Sequence, residues 1–143
     1  MPKLFVLCGL PGSGKSSWAQ AHPQYVTVSS DAIRAELYGH EETQGDPQEV
    51  FAEMDKRVSS LLDAGKDVIY DATNISAKIR KNIIAKFPQA TPICIFLDTP
   101  VKECIKRNLK RKRHVPEHII MRMNKNLEPP TAEENFTIIE KIS

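Results

Sequence analysis

Apolar runs alternate with amphipathic segments along the chain of 143 residues. Short apolar or β-rich runs are typical of buried strands, and they lie at residues 4–8, 25–29, 67–71, 91–97 and 136–142. Between most of these runs, apolar residues recur at intervals of three and four, which predicts helices. Strands that alternate with helices build a parallel sheet with helices on both faces. The pattern therefore predicts an α/β fold with about five parallel strands in a single domain spanning residues 1–143.

Capping residues set the predicted helix ends. Ser30 or Asp31 is expected to cap a short helix that ends at a glycine. Asp46 before a proline marks another helix start, and Thr99 repeats this arrangement. A polar loop is expected at residues 40–46. The predicted helices occupy residues 15–21, 31–38, 47–64 and 76–87, and two more begin near residues 99 and 116.

Apolar positions predict which side of a helix faces the core. In the basic helix 76–87, Ile79, Ile83 and Ile84 are predicted to face the core. Trp18 is expected to pack the first helix against the sheet.

Composition narrows the class of protein. The three cysteines, Cys8, Cys94 and Cys104, lie within apolar patterns and indicate buried, reduced thiols in a cytoplasmic protein. No apolar stretch approaches the ~20 residues of a membrane span. The net charge of +2 is unevenly distributed, because basic residues crowd into 106–113 while acidic residues dominate 31–55. This asymmetry predicts an anionic ligand near the basic segment.

A phosphate-binding motif, G-x-x-x-x-G-K-S, follows the first strand. Glycines let the backbone wrap around phosphate oxygens, and the helix that starts near Lys15 adds its positive N-terminal dipole. Lys15 is expected to reach the β- and γ-phosphates, and the Ser16 hydroxyl to hold Mg²⁺. The predicted nucleotide-binding residues of this segment are Gly9, Pro11, Gly12, Ser13, Gly14, Lys15, Ser16 and Ser17.

Two carboxylates lie where ligands bind, at the carboxyl ends of parallel strands. Asp71 is predicted to support the Mg²⁺; alternatively it only ends a strand or caps a helix. Asp31 and Arg34 share a face if the segment is helical. The carboxylate then accepts a proton from an attacking hydroxyl, and the guanidinium binds an anionic group of the same substrate. An N-cap aspartate beside a surface arginine is the open alternative.

The basic stretch before Pro116 is interpreted as a lid over the triphosphate. Arg107 and Arg111 are four residues apart and present together on a helix, and Arg113 follows them. Arginine suits charge that develops on a transferred phosphoryl group because its donors form a rigid fork. The alternative is a solvated charged face.

Together these motifs resemble the kinase domain of the polynucleotide 5′-hydroxyl kinases of phage and bacterial end repair. The resemblance covers nearly the whole chain, and its motifs are residues 9–16 (GLPGSGKS), 29–34 (SSDAIR), 70–74 (YDATN), 107–111 with Val115-Pro116, and 127–131 (LEPPT). It implies a P-loop kinase fold that binds ATP or another NTP with Mg²⁺. It also implies Asp31 as general base, Arg34 on the acceptor phosphate, and Arg111, with Arg107, at the donor phosphates. Thr73 and Asn74 would line the substrate pocket.

The resemblance therefore predicts a kinase of the 5′-hydroxyl ends of DNA or RNA. Relatives often carry a phosphatase, phosphoesterase or ligase domain, and this chain is expected to stand alone without one. One alternative is a P-loop kinase of a small hydroxyl compound such as a nucleoside, sugar or antibiotic. Others are a non-catalytic NTP-binding module and a subunit of a separate repair enzyme. DNA versus RNA, the donor base, strandedness and the oligomeric state stay open at this point.

Overall fold

The computed structural model describes residues 1–39, 46–111 and 115–143. The strands are β1 Lys3–Cys8, β2 Val26–Ser29, β3 Val68–Asp71, β4 Thr91–Leu97 and β5 Ile138–Ile142. The helices are α1 Lys15–Gln20, α2 Ser30–Tyr38, α3 Pro47–Asp63, α4 Ala77–Lys86, α5 Val101–Asn108 and α6 Glu117–Asn126, with a 3₁₀ turn at Ala132–Glu134. The predictions for residues 40–45, and for Arg113 in the lid, lie outside the described residues.

The strands form one parallel sheet in the order β2-β3-β1-β4-β5, which confirms the predicted α/β fold. β1 lies in the middle, paired with β3 on one side and β4 on the other. Its residues Leu4–Cys8 are all buried, as their continuous apolar run predicts. The chain passes from β1 to one side of the sheet and later crosses to the other, so the carboxyl end of β1 is the switch point where ligands bind in such sheets.

Helices cover both faces of the sheet. α3 packs on one face through a stripe of buried residues at every fourth position: Val50, Met54, Val58 and Leu62. On the other face Trp18 of α1 packs against buried strand residues, as predicted. Helices packed on both faces therefore fix the position of the sheet. The loops that follow the strands lie at its carboxyl edge.

Two predicted helix caps are wrong. Ser29, rather than Ser30 or Asp31, caps α2: it is extended and its Oγ accepts a hydrogen bond from the N–H of Ala32 at 3.3 Å. The helix therefore begins one residue early, which places Asp31 in its first turn. Thr99 does not cap α5 either, because its Oγ1 donates to the carbonyl of Ser13 at 2.8 Å. That bond joins the end of β4 to the phosphate-binding segment.

The predicted inner face of α4 is partly wrong. Ile83 is buried, but Ile79 is 48% exposed and Arg80 is completely buried. Arg80 donates through Nε and Nη2 to the two carboxylate oxygens of Glu134, at 2.6 and 3.0 Å. It also donates to the carbonyls of Asn74 and Glu128, both at 2.8 Å. Arg80 faces inward because the 3₁₀ turn supplies a buried carboxylate that forms an ion pair with it.

The acid of this ion pair is held ionised. Burial alone would raise the pKa of Glu134, but hydrogen bonds from Arg80 and Thr131 outweigh it and keep the pKa below its usual value. A carboxylate with a lowered pKa in the folded state stabilises the protein above its unfolded-state pKa. This contribution is lost as the pH falls through the folded-state value.

We expect Glu134→Gln to lower the free energy of unfolding by about 3–5 kcal/mol, because it leaves the Arg80 guanidinium buried without its counter-charge. Urea unfolding at neutral pH measures the loss. The exposed neighbour Glu133 is the control, and Glu133→Gln should change stability by no more than ~0.5 kcal/mol. Equal stability of the two variants would contradict a stabilising role for the pair.

Candidate active site

The phosphate-binding loop joins β1 to α1 in a conformation that requires glycine. Gly12 and Gly14 have φ of 82° and 109°, in the left-handed region. A Cβ atom on Gly12 would also clash with the carbonyl of Cys104 in α5. The N–H of Gly9 donates to the carbonyl of Thr73 at 2.9 Å, which joins the loop to the end of β3. The loop is therefore fixed from both sides before any ligand binds.

The Lys15 ammonium lies inside this loop. Its Nζ donates to the carbonyls of Leu10 and Gly9, at 2.9 and 3.3 Å. Burial lowers the pKa of Lys15, and the nearby carboxylates of Asp71 and Asp31 oppose that shift. The lysine is thus held where the sequence predicts phosphate oxygens, and a bound phosphate would replace the two carbonyls as its partner.

Asp71 and Ser16 supply the oxygen atoms that could hold a metal. Asp71 ends β3, where it pairs in register with Ser29 at the end of β2. Burial raises the pKa of Asp71, and the Lys15 ammonium opposes the rise. Both Asp71 and Ser16 line the same cleft. Carboxylate and hydroxyl oxygens are hard ligands that suit Mg²⁺, so these two residues fit the predicted ion.

Asp31 and Arg34 form the predicted pair on α2. The Arg34 Nη1 donates to Oδ1 of Asp31 at 2.8 Å, while the Arg34 side chain is only 13% exposed. Its buried Nε has no hydrogen-bond partner among the described residues. A buried guanidinium with donor capacity left over, in the wall of a cleft, is suited to binding an anionic group of a ligand.

The basic segment reaches the same cleft. Nη2 of Arg111 lies 3.8 Å from Oδ2 of Asp31. Arg107 pairs with Glu103 at 3.2 Å, and its Nη1 would lie 3.6 Å from a Cβ atom placed on Gly14. The two arginines therefore lie beside the carboxylate of α2 and beside the phosphate-binding loop, respectively.

The cleft has a volume of 1510 Å³. Typical sites for one small ligand measure roughly 300–1,000 Å³, so the cleft has room for a nucleotide and a second substrate. The predicted residues that line it are Pro11, Gly12, Gly14, Lys15, Ser16, Ser17, Asp31, Arg34, Asp71, Thr73, Arg107 and Arg111.

Three predicted site residues do not line this cleft. Gly9 and Ser13 contribute to the loop itself, where a Cβ atom on Gly9 would collide with the Ser13 side chain. Asn74 is buried at φ 46°, and its Nδ2 donates to the carbonyl of Leu7 in β1 at 2.7 Å. Asn74 thus fastens the β3–α4 connection to β1.

Sequence reasoning gave no site role to several residues that line the cleft, among them Phe51 of α3, and His118 and Arg122 of α6. His118 and Arg122 are four residues apart, as a helix requires for two side chains on one face. That spacing in the sequence could have indicated that the two side chains lie on the same face of the helix. No sequence signal distinguished Phe51 from the core residues of α3.

Comparisons with known proteins agree on the class of fold. Residues 4–130 match the family model described as an AAA domain. The L-seryl-tRNA(Sec) kinase of Methanococcus maripaludis is 25% identical over 138 residues, which cover 89% of this chain and 53% of that protein. The chain therefore spans about half the length of this curated relative.

Two solved structures are similar over most of the chain. The structure of the Pnkp1/Rnl/Hen1 RNA repair complex matches with a TM-score of 0.80 and 28% identity, covering 88% of this chain and 44% of that one. A gluconokinase from Sinorhizobium meliloti 1021 matches with a TM-score of 0.69 and 22% identity, covering 99% and 82%. The second likeness bears on the fold alone.

Within the described parts of the chain, no helix combines the length and apolar character needed to cross a membrane. The match over residues 4–130 agrees with two features of the structure, the parallel sheet and the glycine-rich loop with its half-buried lysine. The chain belongs to the AAA domain family and has the P-loop kinase fold.

Proposed function

We propose that the chain is a Mg²⁺-dependent kinase that transfers the γ-phosphoryl group of ATP, or of another NTP, to the 5′-hydroxyl of DNA or RNA. The observation that carries the proposal is the Asp31–Arg34 pair, joined at 2.8 Å in the wall of the cleft that also contains the phosphate-binding loop. A protein that only binds a nucleotide needs neither residue. A kinase needs a base for the hydroxyl, and a polynucleotide acceptor adds a phosphate to bind.

On the donor side, the loop N–H groups and the Lys15 ammonium bind the β- and γ-phosphates. Ser16 and Asp71 would hold the Mg²⁺, and the bound ion would neutralise charge that develops on the phosphates. Arg107 and Arg111 supply further positive charge from the lid. Each of these side chains lines the cleft, so no rearrangement of the sheet is needed to assemble them.

On the acceptor side, the Asp31 carboxylate takes the proton of the 5′-hydroxyl. The hydroxyl oxygen forms its bond to the γ-phosphorus as the bond to the β-phosphate oxygen breaks, which leaves a nucleoside diphosphate. Arg34 binds the phosphate on the 3′ side of the acceptor nucleoside. The sheet order places β3 between β2 and β1, so the acceptor and donor ends are about two strand spacings, ~10 Å, apart. Two substrates can approach each other from these ends.

Two comparisons link similar proteins to RNA, which supports a substrate that contains a nucleic acid. The matched solved structure at 28% identity is that of an RNA repair complex, and the curated relative is named as a kinase of a tRNA-linked serine. The second candidate function is phosphorylation of a small hydroxyl compound, which the gluconokinase likeness keeps open at the level of the fold.

The test is incubation with γ-labelled ATP and Mg²⁺ in the presence of 5′-hydroxyl DNA, 5′-hydroxyl RNA, nucleosides, sugars and simple alcohols. The proposal expects label on a 5′-terminal phosphate of a strand. Label that appears on a sugar or a nucleoside in preference to any strand would support the second candidate, and the absence of transfer would support a binding module.

Removal of the lid arginine should impair turnover. We expect Arg111→Ala to lower kcat on the order of 10²-fold or more, if Arg111 stabilises charge on the transferred group. Arg111→Lys should recover only part of the loss, because an ammonium cannot form the bidentate fork.

Steady-state kinetics at saturating ATP and acceptor measure this effect. Lys110→Ala is the control, because Lys110 is an exposed neighbour that does not line the cleft. If both Arg111 variants raise only the KM for the acceptor and keep kcat, the basic segment binds substrate and does not act as a lid.

A further inference from the structure

A second, smaller pocket opens beside the cleft, between α3 and α4. Its volume is 220 Å³, and it shares three lining residues with the cleft: Phe51, Ala72 and Thr73. Phe51 comes from α3, and the other two follow β3. The pocket is therefore a side chamber at the end of the sheet where β2 and β3 finish, on the acceptor side of the site.

The walls of this pocket are mainly apolar. Phe51, Ile79 and Ile83 contribute to it. Ile79 was predicted to face the core, but it is 48% exposed. An amide, Asn82, lies among these side chains on the same helix. Mainly apolar and aromatic walls with a small number of placed polar groups are the usual composition of a small-molecule pocket.

The charges at the pocket are already matched. Lys86 lines it and pairs with Asp55 at 2.8 Å. The buried Tyr70 also donates to that carboxylate, at 3.0 Å, and burial raises the pKa of the phenol, so it stays neutral. With these charges satisfied, the pocket favours an uncharged, polar-edged ring over an isolated phosphate.

We propose that this pocket binds the 5′-terminal nucleobase of the acceptor strand. The 5′-hydroxyl must reach Asp31 in the cleft, and the chamber opens from that cleft at Phe51 and Thr73, so the base on the same sugar can enter it. The size fits a base, because an engineered cavity of about 150 Å³ already admits a benzene ring. Thr73 and Asn74 both line the chamber, which gives these two residues a place at the substrate.

This inference rests on the proposed function, and its test separates the two. The parent protein is given two 5′-hydroxyl strands that are identical except at the terminal position, where one carries a base and the other an abasic sugar. Base–aromatic contacts are worth enough for a preference of about tenfold in kcat/KM for the strand with the base.

Ile79 is the residue to change, because its half-exposed position on α4 tolerates substitution without loss of the fold. Ile79→Trp should fill the chamber and bring the preference close to one. Ile79→Ala should reduce the preference part of the way. Ile138→Ala is the matched control: Ile138 is 53% exposed on the edge strand β5 and lines neither cavity, so the preference should stay at its parent value.

Equal efficiency of the parent on both strands would overturn the pocket assignment and leave the kinase proposal intact. A loss of the same size on both strands in the Ile79 variants would also overturn it, because the effect would then not depend on the base. If the parent phosphorylates no strand at all, the proposed function fails, and this inference fails with it.

Discussion

Lys15→Ala should abolish phosphoryl transfer, with a loss of turnover on the order of 10³-fold or more. The Nζ of Lys15 lies within the loop, held at 2.9 Å by the carbonyl of Leu10, and no second lysine lines the cleft among the described residues. The variant therefore removes the ammonium that we assign to the β- and γ-phosphates.

The fold should survive this change. The loop conformation depends on the glycines and on the backbone bond from Gly9 to Thr73, and the lysine side chain is not part of either. Turnover with saturating ATP and acceptor, with circular dichroism as a check on folding, measures the effect. Lys102→Ala is the control, since Lys102 is exposed on α5 and outside the cleft. Near-normal turnover in a well-folded Lys15→Ala variant would contradict the donor-site assignment.

Asp31→Asn should lower the rate of transfer to every acceptor by ~10²–10⁴-fold, the usual cost of removing a general base. The amide oxygen of asparagine can still accept the hydrogen bond from Arg34, which spans 2.8 Å in the parent. The arginine therefore stays in position, and the loss should fall on kcat with little change in the KM for the acceptor.

Single-turnover rates at saturating acceptor isolate this step. Asp63→Asn, at the far end of α3, is the control for the loss of a carboxylate. An Asp31→Asn variant that keeps the parent rate, or that loses only acceptor affinity, would show that the carboxylate does not take the proton.

Local patterns in the sequence were sufficient to predict most of the fold. The apolar run at residues 4–8 was predicted as a buried strand from its length and from the phosphate-binding motif that follows it, and the same motif predicts the loop and the start of α1. The ends of α3 were also readable, because Asp46 caps it and Gly65 takes a left-handed φ of 80° just after it. These features depend on neighbours within a few residues.

The errors involve residues that are far apart in the chain. The burial of Arg80 depends on Glu134, which lies 54 positions away. The periodicity of α4 alone assigned Ile79 to the core and gave no sign that Arg80 would be buried. Thr99 was misread as a cap for the same reason, since its partner Ser13 lies 86 positions away. No pattern in a single helix reports such a partner.

In the candidate site too, some residues were predictable from local patterns and others depend on packing between distant parts of the chain. The pair formed by Asp31 and Arg34 was predicted from helical spacing, and the position of Asp71 from the end of a strand. Phe51 and Arg122 were not predicted, because they reach the cleft only through the packing of α3 and α6. Motifs therefore identified the proposed reacting groups, while the other residues of the cleft wall required the structure.

The central claim is that Asp31 takes the proton of the acceptor hydroxyl and that Arg34 binds the phosphate next to it. An efficient acceptor must therefore carry that phosphate. The measurement is kcat/KM for the parent and for Arg34→Ala, each with a nucleoside and with the corresponding 3′-nucleotide. Arg57→Ala is the control for the loss of an arginine, since Arg57 pairs with Glu36 at 2.6 Å outside the cleft.

The parent should prefer the 3′-nucleotide, and Arg34→Ala should reduce efficiency on it by about 1.5–3 kcal/mol more than on the nucleoside, the scale of a hydrogen bond to a charged group. Equal losses on both acceptors, or a parent enzyme that prefers the nucleoside, would contradict the account and favour a small-molecule kinase.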